Sequence, residues 1–413
     1  MKRRNFLKAA TLTVAAPLVV PSTLFGQDSP NERITVGIIG VGDRGRGHLI
    51  GVQGMKNAQS VAVADCFKSR REGGAAVCKG KAYADFREII ARDDIDCVII
   101  ASHCHWHVPM AVAAAKAKKH IYCEKSLGWT IAQNLACEKA VNESGVVFIY
   151  GTQQRSQTNC WLGCQLVRQG AIGRVHTIEV DAQNGHTGGS AAPAPIPADL
   201  GEDGYDMWVG PAPLRPYSPD RCSFPGTALM YDVSVGRMAG WGSHSLDILV
   251  WGSEADLSGP VIVEGTGKIP TEGLYDTVYD WDMKIKLGDV DMVFKPGGGR
   301  VRFIGEHGWI EVHRDGTTAS DEGLLRIEPE NNEKTLTRSP YHMGHFFDCV
   351  RDGTTPVSSI RDAVRSDNLT HLCDMAVRTE STVKWDAVKR QLIDPTAEQT
   401  AMLDRETREP WTM

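Results

Sequence analysis

Two short polar runs carry the side chains best suited to chemistry: Ser102-His103-Cys104-His105-Trp106-His107 and Glu124-Lys125-Ser126. Each follows an apolar stretch that reads as a β-strand, residues 96–101 and 120–123. Imidazole and ammonium groups at strand ends can move a proton or polarise an oxygen. A third run, Gly40-Val41-Gly42-Asp43-Arg44-Gly45, directly follows the apolar strand 33–39 with G-x-G-x-x-G spacing. Glycines so placed permit a tight turn and close backbone approach to a pyrophosphate at a helix start, here a helix over 46–52. A second strand, 60–64, ends in Asp65, 20 residues after Gly45. Its carboxylate would accept ribose hydroxyls and repel a 2′-phosphate, so NAD is expected over NADP. Lys68, Arg70 and Arg71 lie just beyond and could neutralise such a phosphate, or simply open a solvated basic helix.

Three histidines and a cysteine within residues 103–107 suggest a metal site. Adjacent positions on a short loop cannot converge on one ion, however, and no second ligand group follows at zinc spacing, so no metal site is expected. The 11 cysteines are scattered through expected strands and helices, as at Cys66, Cys97 and Cys123, which is not a disulfide framework. Cys160 and Cys164 stand one helical turn apart beside Trp161, Leu162 and Val167, a core-packing pattern.

The positioning elements alternate: helix 86–92, strand 96–101, helix 109–116, strand 120–123. Alternation of this kind builds a parallel doubly wound sheet, which binds ligands at its carboxyl edge. Beyond it, strands at 175–180, 261–265, 281–287, 290–294, 301–304 and 308–312, several with period-2 alternation, predict a large, mostly antiparallel sheet. Helices follow at 342–351 and 362–379. The Gly-, Ala- and Pro-rich stretch 185–204 reads as a loop over the site. The fold class is α/β: an N-terminal Rossmann domain over 31–155 and a C-terminal α+β domain over 156–413.

Composition excludes some partners. Among 413 residues, 45 Lys+Arg face 51 Asp+Glu, a net charge of −6 with no basic excess for nucleic acid. The N-terminus reads Lys2-Arg3-Arg4-Asn5-Phe6-Leu7-Lys8 followed by a short apolar stretch, 9–20. It resembles a twin-arginine export signal, too weak for a stable membrane span. The expectation is a leader and linker over 1–30, passage through the twin-arginine translocation machinery, and a periplasmic or otherwise exported protein without a span after processing. Cleavage after Gly26 would put Leu24 where a small residue is usual; it would leave 41 basic against 51 acidic side chains, a net charge of −10.

The glycine-rich opening, the loop ending His105-Trp106-His107, the Glu124-Lys125 pair, Gly151-Thr152-Gln153-Gln154-Arg155, Trp208-Val209-Gly210-Pro211-Ala212-Pro213 and Gly240-Trp241-Gly242-Ser243-His244-Ser245-Leu246-Asp247 together resemble the Gfo/Idh/MocA family, in particular its twin-arginine-exported branch. The resemblance implies an NAD(P) domain and a C-terminal sheet that carries substrate on one face and pairs subunits on the other, giving a homo-oligomer, dimer or tetramer. It implies cofactor contacts from Gly40, Gly42, Asp43, Arg44, Gly45, Asp65, Ser102, His105, Trp106, His107, Glu124, Lys125 and Gln153. Substrate contacts would come from Lys125, Gln154, Arg155, Asp232 and His244. Lys125 matches the Lys of a Glu-Lys-Pro motif, and His244 matches the His of an Asp-x-x-x-His motif. Lys125 would polarise the reacting oxygen and His244 shuttle its proton.

Two departures matter. Gly240 stands where the family has Asp, and Ser126 replaces Pro. Asp247, three residues after His244, is then expected to orient the imidazole and complete the catalytic set, with Asp232 as the other candidate. The plainer alternatives are a His244 satisfied locally by Asp247 and a Lys125 paired with Glu124. Three functions stay open. The first is NAD-dependent oxidation of a secondary hydroxyl of a carbohydrate or polyol; the second is glycoside cleavage through a transient ketone; the third is binding without turnover. Export would also favour a cofactor acquired in the cytoplasm and held through turnover.

Overall fold

The computed structural model describes residues 33–411, so the leader expected over 1–30 lies outside the described residues. Six strands form the first sheet: β1 (Ile34–Ile39), β2 (Ala58–Ala64), β3 (Lys81–Tyr83), β4 (Cys97–Ile100), β5 (His120–Cys123) and β6 (Phe148–Tyr150). All are parallel, in the order β3-β2-β1-β4-β5-β6. The order reverses between β1 and β4, which opens a crevice at their carboxyl ends. Alternate residues serve opposite faces. Val36 and Ile38 pack with Phe346 and Phe347 of the helix His342–Asp352, while Ile39, Val98 and Ile100 meet the helices Phe86–Ile90 and Cys104–Lys116. One face of the first sheet is thus covered by a helix from far along the chain, and the two halves interlock.

Nine strands form the second sheet: β7 (Val175–Ala182), β8 (Val261–Lys268), β9 (Asp280–Leu287), β10 (Val290–Pro296), β11 (Val301–Gly305), β12 (Gly308–His313), β13 (Gly316–Ala319), β14 (Val383–Asp386) and β15 (Gln391–Leu392). Their order is β13-β12-β11-β7-β10-β9-β8-β14-β15, antiparallel except for the β7–β10 pair. On β9, Trp281, Met283, Ile285 and Leu287 point inward while Asp282, Lys284 and Lys286 are exposed. That alternation buries one face under the helices Thr158–Arg168, Gly242–Ser253 and Ile360–Arg378 and leaves the other charged and open.

Two local expectations are corrected. The helix expected from Pro109 begins at Cys104, with His103 in extended conformation at its N-cap. Pro109 removes only the N–H that would reach the His105 carbonyl, and the buried face of the helix outweighs that single loss. His105, Trp106 and His107 therefore lie on a helical turn rather than a loop. The segment 185–204 is irregular only to Leu200, and a helix follows at Gly201–Val209. Burial of Tyr205, Trp208 and Val209 overrides the low helix propensity of Gly201 and Gly204.

Candidate functional site

The crevice at the ends of β1, β2 and β4 is a cleft of about 600 Å³ bounded by Gly40, Gly42, Asp65, Phe67, Arg70 and Trp106. Its glycines do different work. Gly40 sits at φ +83°, and a Cβ there would come within 2.6 Å of the Ala101 carbonyl oxygen. A Cβ at Gly45 would strike the Gly40 carbonyl oxygen, so both positions are dictated by the turn itself. At Gly42 a Cβ would meet nothing nearer than the Arg70 guanidinium at 3.7 Å. Gly42 instead keeps a cradle open at the N-terminus of the helix Asp43–Gln53, whose free N–H groups suit a pyrophosphate. Asp43 is exposed on the first turn of that helix and makes no capping bond.

Asp65 closes the ribose end. Its two carboxylate oxygens accept the backbone N–H groups of Val41 at 2.7 Å and Phe67 at 2.9 Å, which fixes the group and leaves lone pairs toward the cleft. Burial raises its pKa above the ordinary carboxylate value, against the pull of those N–H groups and of Arg70 and Arg71. Arg71 is occupied with the Cys66 carbonyl at 2.8 Å, and Arg70 lies over the Phe67 ring at 4.3 Å. The cradle, the anchored acid and the aromatic wall fit NAD.

The cleft is roofed from the second half of the chain. Met207 and Trp208, on the helix Gly201–Val209, line it. Trp106 donates its indole N–H to the Met207 carbonyl at 2.9 Å, and Trp208 donates to His103 at 3.1 Å. Gly210, at φ +52°, packs so closely on Trp106 that any side chain there would overlap the indole. The near end of this strap is tied by Asp199, which accepts from the Ser69 N–H and hydroxyl at 2.7 Å each. The far end is tied by Arg408, which bonds the Asp206 side chain at 2.6 Å and the Gly210 carbonyl at 3.1 Å. The segment expected to cover the site thus only leads up to its cover.

A second cavity, about 560 Å³, opens beside the first and shares Ser102 and His103 with it. Lys125, Phe224, Arg237 and Trp241 are among its walls. Glu124, immediately before Lys125, turns to the cofactor side. It accepts from Arg44 and His48 at 2.8 Å and from Gln153 at 3.0 Å. Burial would raise its pKa, but His48, Arg44 and Lys125 hold it well below the ordinary value. Glu124 therefore belongs to Arg44 and the glycine-rich helix. Lys125 makes no side-chain ion pair among the described residues; burial lowers its pKa, Glu124 opposes that, and Arg44, Arg237 and Arg314 reinforce it. His244 is buried one turn after Gly240, its ring 5.9 Å from Trp241. Burial, with the charges of Lys125 and Arg314, puts its pKa well below 6.5, and its Nδ1 has no protein partner.

Several expected site residues do other work. Asp247 does not orient His244, because both its oxygens are held by the Arg155 guanidinium at 2.7 Å. Arg155, only 2% exposed, also bonds the Val357 carbonyl at 2.9 Å and pairs with Asp362, so it cannot contact substrate. Convergence of residues 155, 247 and 362 is a tertiary fact that helical spacing around His244 could not reveal. Asp232 pairs with Arg215 at 3.2 Å and Arg221 at 3.5 Å and lines neither cavity. His105 lines neither, with Nε2 on the Trp208 carbonyl at 3.1 Å, because two residues of helical rotation carry it past His103. His107 bridges the carbonyls of Ser126 at 2.6 Å and Ser102 at 3.1 Å on the substrate cavity's wall. With its amide turned end for end, the orientation in which both its ends are satisfied, Gln154 donates to the His244 carbonyl at 3.2 Å and accepts from Arg314 at 2.9 Å, bracing the site from behind. Sequence reasoning did not single out His103, Met207, Trp208, Arg237 or Arg314 as site residues. Of these, only His103 and Trp208 lay in quoted motifs.

Residues 34–152 match the model of an oxidoreductase family's NAD-binding Rossmann fold, and residues 164–413 match that of an oxidoreductase family's C-terminal alpha/beta domain. The chain is 29% identical over 165 residues to a myo-inositol 2-dehydrogenase of Thermotoga maritima, covering 40% of this chain and 47% of that protein. It is 27% identical over 214 residues to a glycosyl hydrolase family 109 protein of Shewanella baltica, covering 42% and 44%. The matches thus span about half the length of these relatives. Among solved structures, a levoglucosan dehydrogenase in complex with NADH and L-sorbose aligns at a TM-score of 0.63 and 18% identity, over 86% of this chain and 99% of that one.

Proposed function

The chain belongs to the Gfo/Idh/MocA oxidoreductase family, and from that premise we propose that it oxidises a secondary hydroxyl of a sugar or polyol with NAD retained through turnover. One observation carries the reading: the NAD cleft and the second cavity share the Ser102–His103 wall, and Lys125 lines the second cavity while its neighbour Glu124 serves the first. NAD, when bound, would accept the hydride of the carbinol carbon, and because it is retained that hydride would pass to the carbonyl of an acceptor sugar before the next turnover. Lys125 donates a hydrogen bond to the reacting oxygen and stabilises the negative charge that grows there. His244, neutral at pH 7, accepts the hydroxyl proton at Nδ1, the nitrogen that no protein group occupies. Trp241 and Phe224 give the sugar apolar surface and limit water.

Retention follows from the strap. Because Met207 and Trp208 at the end of the helix Gly201–Val209, and Asp199 before it, are hydrogen-bonded to the first domain, release of NAD would require those bonds to open. This suits export of a folded, loaded protein by the twin-arginine route, which the run Lys2 to Lys8 supports. Cell fractionation would test it: the protein should leave the cytoplasm, and R3K/R4K should strand it there. The open face of the second sheet is where subunits would pair. A second reading, glycoside cleavage through a transient ketone, is favoured by His244 lacking a carboxylate partner and by the family 109 relatives. Incubation with a panel of sugars, polyols and glycosides separates the two. A keto-sugar is the expected product; a free reducing sugar with no net NADH would favour cleavage, and neither product would contradict both.

A further inference from the structure

The cavity beside the NAD cleft has a charge pattern that oxidation of a neutral alcohol does not require. Of the residues that line it, none is Asp or Glu, while Lys125 and Arg237 are both present. Arg237 makes no ion pair among the described residues; its guanidinium lies over the Phe224 ring at 5.3 Å, and its buried Nε has no hydrogen-bond partner. Arg314, stacked on the wall residue Trp241 at 5.1 Å, makes no ion pair among the described residues and, with the Gln154 amide turned to satisfy both its ends, bonds that neutral group. The nearby acids are committed elsewhere: Glu124 to Arg44 and His48, Asp247 to Arg155, and Asp232 to Arg215 and Arg221.

Two cations without an ion pair in the wall of one cavity, with Arg314 stacked on the wall residue Trp241, are costly even in a chain whose net charge is −6. Each raises the cost of charging the others, and Lys125 is depressed by both Arg237 and Arg314 as well as by burial. A partly desolvated cation without a counter-ion is normally destabilising, and a ligand oxyanion removes that penalty. Space for one exists. Gly240 lines the cavity, and a Cβ there would meet nothing within 4 Å. We infer that the substrate is a sugar or polyol bearing an oxyanion, a carboxylate or a phosphate, and that Arg237 binds that group in the space beside Gly240. The planar guanidinium suits two-point contact with such an oxyanion, which a neutral hydroxyl cannot return.

The inference rests on the sugar-oxidoreductase reading, so binding and turnover are measured separately. NAD-loaded protein is titrated calorimetrically with glucuronate, gluconate and glucose 6-phosphate, and with glucose and myo-inositol as neutral counterparts. At least one anionic ligand should bind tenfold or more tightly than its neutral counterpart, and the carboxylate and phosphate arms show which oxyanion fits. R237Q should cost the anionic ligand at least tenfold more than the neutral one, and R237K should recover part of that loss. Retained NAD and an unchanged melting temperature certify that the variants are folded. Neutral sugars binding as tightly as anionic ones, or R237Q weakening both alike, would overturn the inference. Tight anion binding without any keto-sugar would leave it standing and defeat the oxidoreductase reading instead.

Discussion

The two cavities that meet at Ser102 and His103 are built on opposite principles. In the NAD cleft most charges close to the expected ligand are already answered: Asp65 by two backbone N–H groups, Arg71 by a carbonyl, Glu124 by Arg44, His48 and Gln153, with Arg70, over the Phe67 ring, the exception. The cleft is preformed, largely apolar and roofed by a strap bonded at both ends. In the neighbouring cavity Lys125 and Arg237 make no ion pair, and behind its wall residue Trp241 the buried Nδ1 of His244 has no hydrogen-bond partner. A satisfied cleft holds its ligand as a standing part of the structure, whereas an unsatisfied one waits for a ligand that completes it. The difference separates a resident cofactor from a visiting substrate.

Substitutions can break or sharpen that contrast. The largest effect is expected for Lys125→Met, which should lower turnover on the order of 10³-fold while NAD stays bound. Loss of NAD together with activity would show that the two cavities are one. Arg155→Met should come next, destabilising the fold by about 3–5 kcal/mol in a denaturant titration, because it leaves Asp247 buried and unpaired. KM should barely move; a KM effect without loss of stability would return Arg155 to the substrate site. Trp208→Ala removes the strap's bond to His103 and a wall of the cleft, and should speed NAD release on the order of tenfold, read by stopped-flow dilution. An unchanged rate would deny the strap its role.

The smallest effect is a pH dependence of stability. Burial lowers the pKa of His103 to about 3 and of His105 to about 4. As pH falls below ~6.5 the unfolded chain binds protons that the folded cleft refuses, so stability falls by about 1 kcal/mol per unit for each histidine. Above pH 7 both states are neutral at these positions and the slope vanishes. Melting curves between pH 7.5 and 5.5 should show the loss, and His105→Gln should flatten part of it.

How much was legible in the sequence follows the same divide. Gly40, Gly42, Gly45 and Asp65 were readable because a turn, a cradle and a ribose each demand one residue type at fixed spacing; the structure places Gly40, Gly42 and Asp65 on the cleft and Gly45 against the Gly40 turn behind it. Strands β7 to β12 were readable from their alternation, whereas β3, β6 and β13 to β15 were not, being two to four residues long and set by pairing rather than pattern. The substrate cavity was half legible. Lys125 sits at a strand end, but Arg237 reaches it from more than a hundred positions away and carries no local signal. The bond expected between His244 and Asp247 failed for that reason too: helical spacing fixed the face, and Arg155, arriving from another element, decided the partner.

The claim that the cleft keeps its cofactor through turnover is open to one direct measurement. Protein purified without added nucleotide is denatured, and the released NAD(H) is assayed per chain. Close to one equivalent is expected, unchanged after many turnovers with a productive sugar and an acceptor sugar. Chains that emerge empty, and that need free NAD supplied continuously for activity, would contradict it.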